Sequence, residues 1–187
     1  MSGRSRFLAN KAGFTVTELL MAVTIVTSVS SAAFVNVKDK AKQTQCQNNL
    51  KQIGMALRMH EMTNGKLPKS AFFPDDPKKG KDSIRVILKG YPAKLFKCPS
   101  APEEIAKKGL TFVWNDKCSG KPSHRIKKSK ETWLMMEVNA VSDKVPAPHP
   151  GGYNILYADM QTIKTEKELP KDLAKEVKAK SKESKGE

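Results

Sequence analysis

The sequence predicts an α+β fold in which a long N-terminal helix, half membrane segment and half amphipathic, packs on a small antiparallel sheet. Three observations carry this. No Gly or Pro interrupts Phe14 to Ile53, so about 40 residues of backbone meet no helix breaker. Within that run and just beyond it, Cys46, Leu50, Ile53 and Leu57 recur at steps of four, three and four, which is one face of a helix. Farther on, short apolar and β-branched stretches separated by turn residues read as strands.

Taken in order, residues 1–13 form a basic leader with Arg4, Arg6 and Lys11. Residues 14–37 follow as a transmembrane or assembly helix, uncharged except for Glu18. As a helix this segment rises on the order of 36 Å, enough to span a bilayer. The positive-inside bias puts the leader in the cytoplasm and the chain from Lys38 outside, although Lys38, Lys40 and Lys42 weaken the asymmetry. Hydroxyls at Thr15, Thr17, Thr24, Thr27, Ser28, Ser30 and Ser31 can bond back to helix carbonyls, which lowers the cost of leaving lipid for a protein bundle.

Residues 38–65 continue the helix as an amphipathic segment, with Lys42, Gln43, Lys51 and Gln52 expected to face water. Gly54 is tolerated at about 1 kcal/mol, and Asn64-Gly65 with Pro68 beyond supplies the stop. A helix of about 50 residues extends on the order of 75 Å. That is too long to bury on one modest domain, so its N-terminal half needs lipid or other copies of the chain.

Residues 66–170 form the expected globular head. Pro68 to Lys81 reads as loop, and Asp82 is placed to cap a short helix through Leu88. Strands are expected at Leu110 to Trp114, Thr132 to Val138, Tyr153 to Ala158 and Gln161 to Thr165, the last two joined by a tight turn at Asp159-Met160. In the charged tail, residues 171–187, Lys171 to Lys180 has the pattern of a short amphipathic helix, and Ser181 to Glu187 lacks the apolar mass to order.

The net charge of +15 comes mostly from lysines scattered between Lys66 and Lys130, the pattern of a solvated surface. A basic face for DNA or another polyanion is the alternative. With 6% aromatic residues, stacking platforms for nucleic acid are scarce. Cys46, Cys98 and Cys118 lie on the side expected to face an oxidising compartment, so one disulfide with one cysteine left over is natural, and spacing alone leaves all three pairings open. No CxxC or clustered ligand set is visible in the sequence, so no metal and no cofactor is expected.

His149 and Asp159 flank one predicted strand, about 25–30 Å apart if fully extended, and cannot share a metal unless the chain folds back. Structural roles suit them: Gly151-Gly152 turns into the strand, and Asp159 caps the turn out of it. His60, His124 and His149 assemble no nucleophile with an adjacent base and orienting acid, so no enzyme is expected.

Glu18 is the exception in the apolar run. A carboxylate at the bilayer centre costs roughly 2.5–3.5 kcal/mol on insertion scales, so it needs a partner. Cleavage after Gly13 would create one, the amino group of Phe14 on a neighbouring copy. The string Gly13-Phe14-Thr15, then Glu18-Leu19-Leu20, resembles the processing site of type IV pilins and type II secretion pseudopilins, with Val16 and Thr17 where most members carry larger aliphatics. An ordinary secretory signal places its apolar core before the cut, the reverse of the order here.

That resemblance implies a pilin-like fold, cleavage after Gly13 by a prepilin peptidase, N-methylation at Phe14, and assembly through Glu18 with other copies, related pilin-like subunits and an inner-membrane assembly platform. It also implies a location: a single-pass inner-membrane precursor with a periplasmic head, later part of a periplasmic or cell-surface filament. The alternative within the same resemblance is a minor pilin whose basic head binds DNA or another polyanion.

Further stretches resemble a prepilin-type set of planctomycete- and verrucomicrobia-like bacteria. These are Cys46-Gln47-Asn48-Asn49-Leu50-Lys51-Gln52-Ile53-Gly54 with Leu57, then Phe96-Lys97-Cys98-Pro99-Ser100, then His149 followed after nine residues by Asp159. The resemblance implies a Cys46–Cys98 disulfide. The set's signature glycine after the aspartate is Met160 here, and its usual proline near Ala32 to Val35 is missing.

Overall fold

The computed structural model describes residues 15–141, 146–150 and 152–165, with Lys175 and Ala179 beyond them, and describes no side chains over 25–36. Gly13, Phe14, Gly151 and most of the tail therefore lie outside the described residues. The chain divides into two units, residues 1–38 and 39–187.

Helix α1 runs from Val16 to Asn64, 49 residues. Its start is a reciprocal cap. Thr15 Oγ1 accepts from the Glu18 N–H at 3.3 Å, and Glu18 Oε2 accepts from the Thr15 N–H at 3.0 Å, so each side chain satisfies a backbone donor that the first turn leaves open. At the other end, the Gly65 N–H bonds the Glu61 carbonyl at 2.7 Å with φ of +72°, the left-handed stop expected from Asn64-Gly65. Among the described residues no helix is long and apolar enough to cross a membrane.

Within the second unit, the inward stripe of α1 is Cys46, Leu50, Ile53, Ala56 and Leu57, all buried. Gln43 belongs to it too. It is buried, with Nε2 lacking a hydrogen-bond partner, contrary to the expectation that it faces water, because it stands one turn before Cys46 on the same face. The stripe packs on a four-stranded antiparallel sheet of order β1-β2-β3-β4: β1 Phe112–Trp114, β2 Trp133–Glu137, β3 Asn154–Tyr157 and β4 Thr162–Lys164. All four expected strands are present, each shorter than expected at one or both ends. Helix α2, Ile84–Ile87, falls inside the expected short helix, but Ser83 rather than Asp82 takes its N-cap position. Helix α3, Glu103–Lys108, is additional.

Side chains alternate across the sheet with period two. Phe112, Trp114 and Leu156 join the α1 side, while Val113, Met136 and Ile155 join a second core with Phe72 and Trp133, whose rings meet edge to face at 6.4 Å. A register shift between Trp133 and Met135 breaks the alternation, so Leu134 and Met135 both serve the α1 core. Beyond it the period resumes and turns Glu137 toward α1. The β3–β4 turn closes as Asp159 Oδ1 accepts from the Gln161 N–H at 3.0 Å, the capping role expected for it. Met160 holds φ at +67°, so the turn keeps the left-handed conformation that glycine would take without strain.

Candidate functional site

Four elements bring polar, chemically active side chains to one buried point. Cys46 stands on the inner face of α1. Cys98 follows a short 3-10 helix, Ala93–Phe96, and its loop is fixed from two directions: the Cys98 N–H donates to Thr111 Oγ1 at 2.6 Å, and Asn49 Nδ2 of α1 donates to the Lys97 carbonyl at 2.9 Å. Glu137 ends β2. His149 precedes β3 in a bridge with Gly152, whose N–H bonds the His149 carbonyl at 3.0 Å. Gly152 sits at φ +103°, so the expected turn there does require glycine.

The functional atoms of Cys46, Cys98, Glu137 and His149 all lie within 4.8 Å of one another. Cys46 Sγ is 2.9 Å from Glu137 Oε1, His149 Nε2 is 3.1 Å from the same oxygen, and Cys98 Sγ is 3.3 Å from His149 Nε2. The residues are 0%, 3%, 1% and 3% exposed in the order Cys46, Cys98, Glu137, His149. Asn154 completes the surroundings, its Nδ2 donating to Glu137 Oε1 at 2.9 Å and its backbone N–H to Glu137 Oε2. Buried charge persists only where such donors replace water.

The electrostatics follow from these contacts. The nearby Cys46 side chain holds the Cys98 thiol down to about 6, against burial, and His149 helps. Cys46 is pushed far up by the adjacent Cys98, by burial and by the Glu137 charge. Burial would lower His149, but its bonds to Cys98 and Glu137 and their charges outweigh it and raise it to about 9. A thiol held down and an imidazole held up in pKa therefore face Glu137 inside one buried cluster.

Cys98 and His149 pair a thiol with an imidazole, as a nucleophile and base would be paired, but each is only 3% exposed. A surface pocket of about 590 Å³ lies elsewhere, between Gln45, Asn48 and Gln52 of α1 and Pro92, Lys94 and Leu95.

Cys46 and Cys98 are adjacent, as the disulfide requires, but in this structure they are free thiols. Cys46 Sγ is directed to the carboxylate and Cys98 Sγ to the imidazole. His149 joins the cluster and Asp159 does not, for Asp159 serves the turn beyond β3. Glu18 stands apart in the first unit, capped with Thr15. Sequence reasoning missed Glu137. Its signal was slight, a single acid closing the apolar run Trp133-Leu134-Met135-Met136. Nor does any local spacing announce the cluster, since its members come from positions 46, 98, 137 and 149.

Residues 36–94 fit a family model described as SBP_bac_10, a protein of unknown function (DUF1559). No curated protein and no solved structure matches. The matched stretch contains Cys46 and ends short of Cys98, Glu137 and His149; it is similar to that family over the head portion of α1 and the segment that follows it.

Proposed function

We propose that this chain is a pilin-like structural subunit of a type IV pilus or type II secretion pseudopilus, which acts by assembly rather than catalysis. In this reading the precursor spans the inner membrane once, with the leader in the cytoplasm and the head in the periplasm. A prepilin peptidase cuts after Gly13, Phe14 is N-methylated, and α1 enters a bundle with other copies and related subunits on a membrane assembly platform.

The observation that carries the reading is the start of α1. Val16, Leu19, Leu20, Met21 and Val23 are 52–74% exposed on the first turns of a helix whose later turns are buried in a head. Exposed apolar area of this kind gains roughly 25 cal/mol per Å² when lipid or a second helix covers it. Glu18 lies among these residues, where a cationic amine on an adjacent copy would offset its charge. The burial of the Cys98–His149 pair supports a non-catalytic role for the head.

The cap at Thr15 offers a second explanation for Glu18, and one substitution separates the two. Glu18→Gln keeps the capping geometry, which glutamine also makes, while it removes the charge. The expected result is normal cleavage after Gly13, read by mass spectrometry of the N-terminus, with incorporation into sheared filaments or pseudopili reduced at least tenfold. Incorporation at the wild-type level would overturn the charge pairing. Gly13→Ala is expected to retain the leader, and a mature Phe14 terminus in that variant would overturn the cleavage assignment.

A further inference from the structure

We propose that Cys46, Cys98, Glu137 and His149 are the four ligands of one structural transition-metal ion of the zinc class, held in the head by two Sγ atoms, a carboxylate oxygen and Nε2. The inference stands on the head alone and does not depend on how the chain assembles.

Geometry is the first support. Tetrahedral zinc with bonds of about 2.0–2.3 Å sets its ligand atoms about 3.3–3.8 Å apart. The three separations given above, 2.9, 3.1 and 3.3 Å, reach that range with shifts of under about 1 Å. The donor set is the second. Two thiolates with an imidazole and a carboxylate favour zinc and similar borderline-soft ions, whereas magnesium and calcium take oxygen ligands.

Closure is the third support. None of the four residues is more than 3% exposed, so no ligand position opens to solvent or substrate, as in structural rather than catalytic zinc sites. The surroundings are the fourth. Asn154 fixes both carboxylate oxygens and Thr111 fixes the Cys98 backbone, which is how outer groups orient metal ligands. His149 turns Nε2 toward the cluster.

Binding balances without electron transfer. The ion takes the place of the Cys46 thiol proton and of the proton shared between Cys98 and His149. Both protons leave to solvent, so one divalent charge replaces two protons and the net charge of the buried group is unchanged. A Cys46–Cys98 disulfide instead needs a two-electron oxidant and removes both thiolates, so the two states exclude each other. The site ties α1 to the Cys98 loop, the end of β2 and the segment before β3, contacts that are otherwise separated by up to 103 positions (149 − 46) along the chain.

The test uses the full chain in detergent, purified without chelator. About one equivalent of zinc per chain is expected by elemental mass spectrometry. A chelator should lower the unfolding temperature and added zinc should restore it. Cobalt substitution should give the thiolate charge-transfer and intense visible bands of a tetrahedral sulfur-ligated ion, a readout that requires no variant. Cys98→Ser and His149→Ala should each lower metal content at least tenfold, Asn154→Ala should weaken affinity about 10–100-fold, and Cys118→Ser should leave occupancy at one equivalent. Protein that stays metal-free in the presence of zinc with its thiols reduced overturns the proposal, as does a Cys46–Cys98 disulfide in peptides mapped from protein alkylated directly from cells.

Discussion

Glu137 is the acceptor on which the polar interior of the head converges. Cys46 Sγ, His149 Nε2, Asn154 Nδ2 and the Asn154 N–H all meet its two oxygens. Glu137→Ala removes every one of those acceptors, leaves the Asn154 N–H and side-chain amide buried without one, and leaves His149 with Cys98 alone, which predicts a loss of about 3–5 kcal/mol. Urea unfolding of the chelator-treated protein, followed by tryptophan fluorescence, checks this, since Trp114 and Trp133 are both buried in the head. A loss below about 1 kcal/mol would mean that relaxation or water satisfies the stranded donors. The residues of this site were unevenly legible. Cys46, Cys98 and His149 stood out through a resemblance, but a lone acid at the end of an apolar strand reads as the edge of that strand. Its partners come from tertiary packing: β3 sets Asn154 beside it, α1 brings Cys46, and the segment before β3 brings His149.

At the scale of elements, the contact between α1 and the sheet was readable in outline and its register was not. The helical stripe from Cys46 to Leu57 and the four strands follow from periodicity. The shift between Trp133 and Met135, which sends two successive side chains to one core, leaves no mark in the hydropathy pattern. Gly54 shows the same limit. It breaks the helical propensity of α1, and the sequence could only assign it a cost. In the structure it faces β3 and the turn after it, where a Cβ would stand 3.1 Å from Leu156 Cδ1 and 3.7 Å from the Met160 carbonyl oxygen. A side chain there displaces the Leu156 side chain, and one larger than alanine also meets the turn at Met160. Gly54→Val is therefore expected to destabilise the head by about 1–3 kcal/mol through overpacking, despite the gain in helix propensity over glycine. Thermal unfolding measures the difference, and a stabilised variant would show that β3 moves freely.

For the whole molecule, the division near Lys38 separates two kinds of surface on one helix. Beyond it, α1 is amphipathic and both faces of the sheet are covered, by α1 on one side and by Phe72 and its neighbours on the other. Before it, the described side chains of the first turns are exposed and largely apolar, and on the pilin-like reading proposed above lipid or another copy covers them. Stability of the head and the tendency to associate should therefore be separable. A chain that begins at Asp39 retains the whole inward stripe of α1, all four strands and the Cys46 cluster, and loses only the exposed turns. It is expected to be a folded monomer in light scattering without detergent, with cooperative unfolding and dispersed amide signals in NMR. The full chain should require detergent or form large assemblies under the same conditions. If the shortened chain also assembles, association belongs to the head. If the full chain stays monomeric in plain buffer, the exposed turns of α1 do not drive it, and the pilin-like reading loses its main physical support.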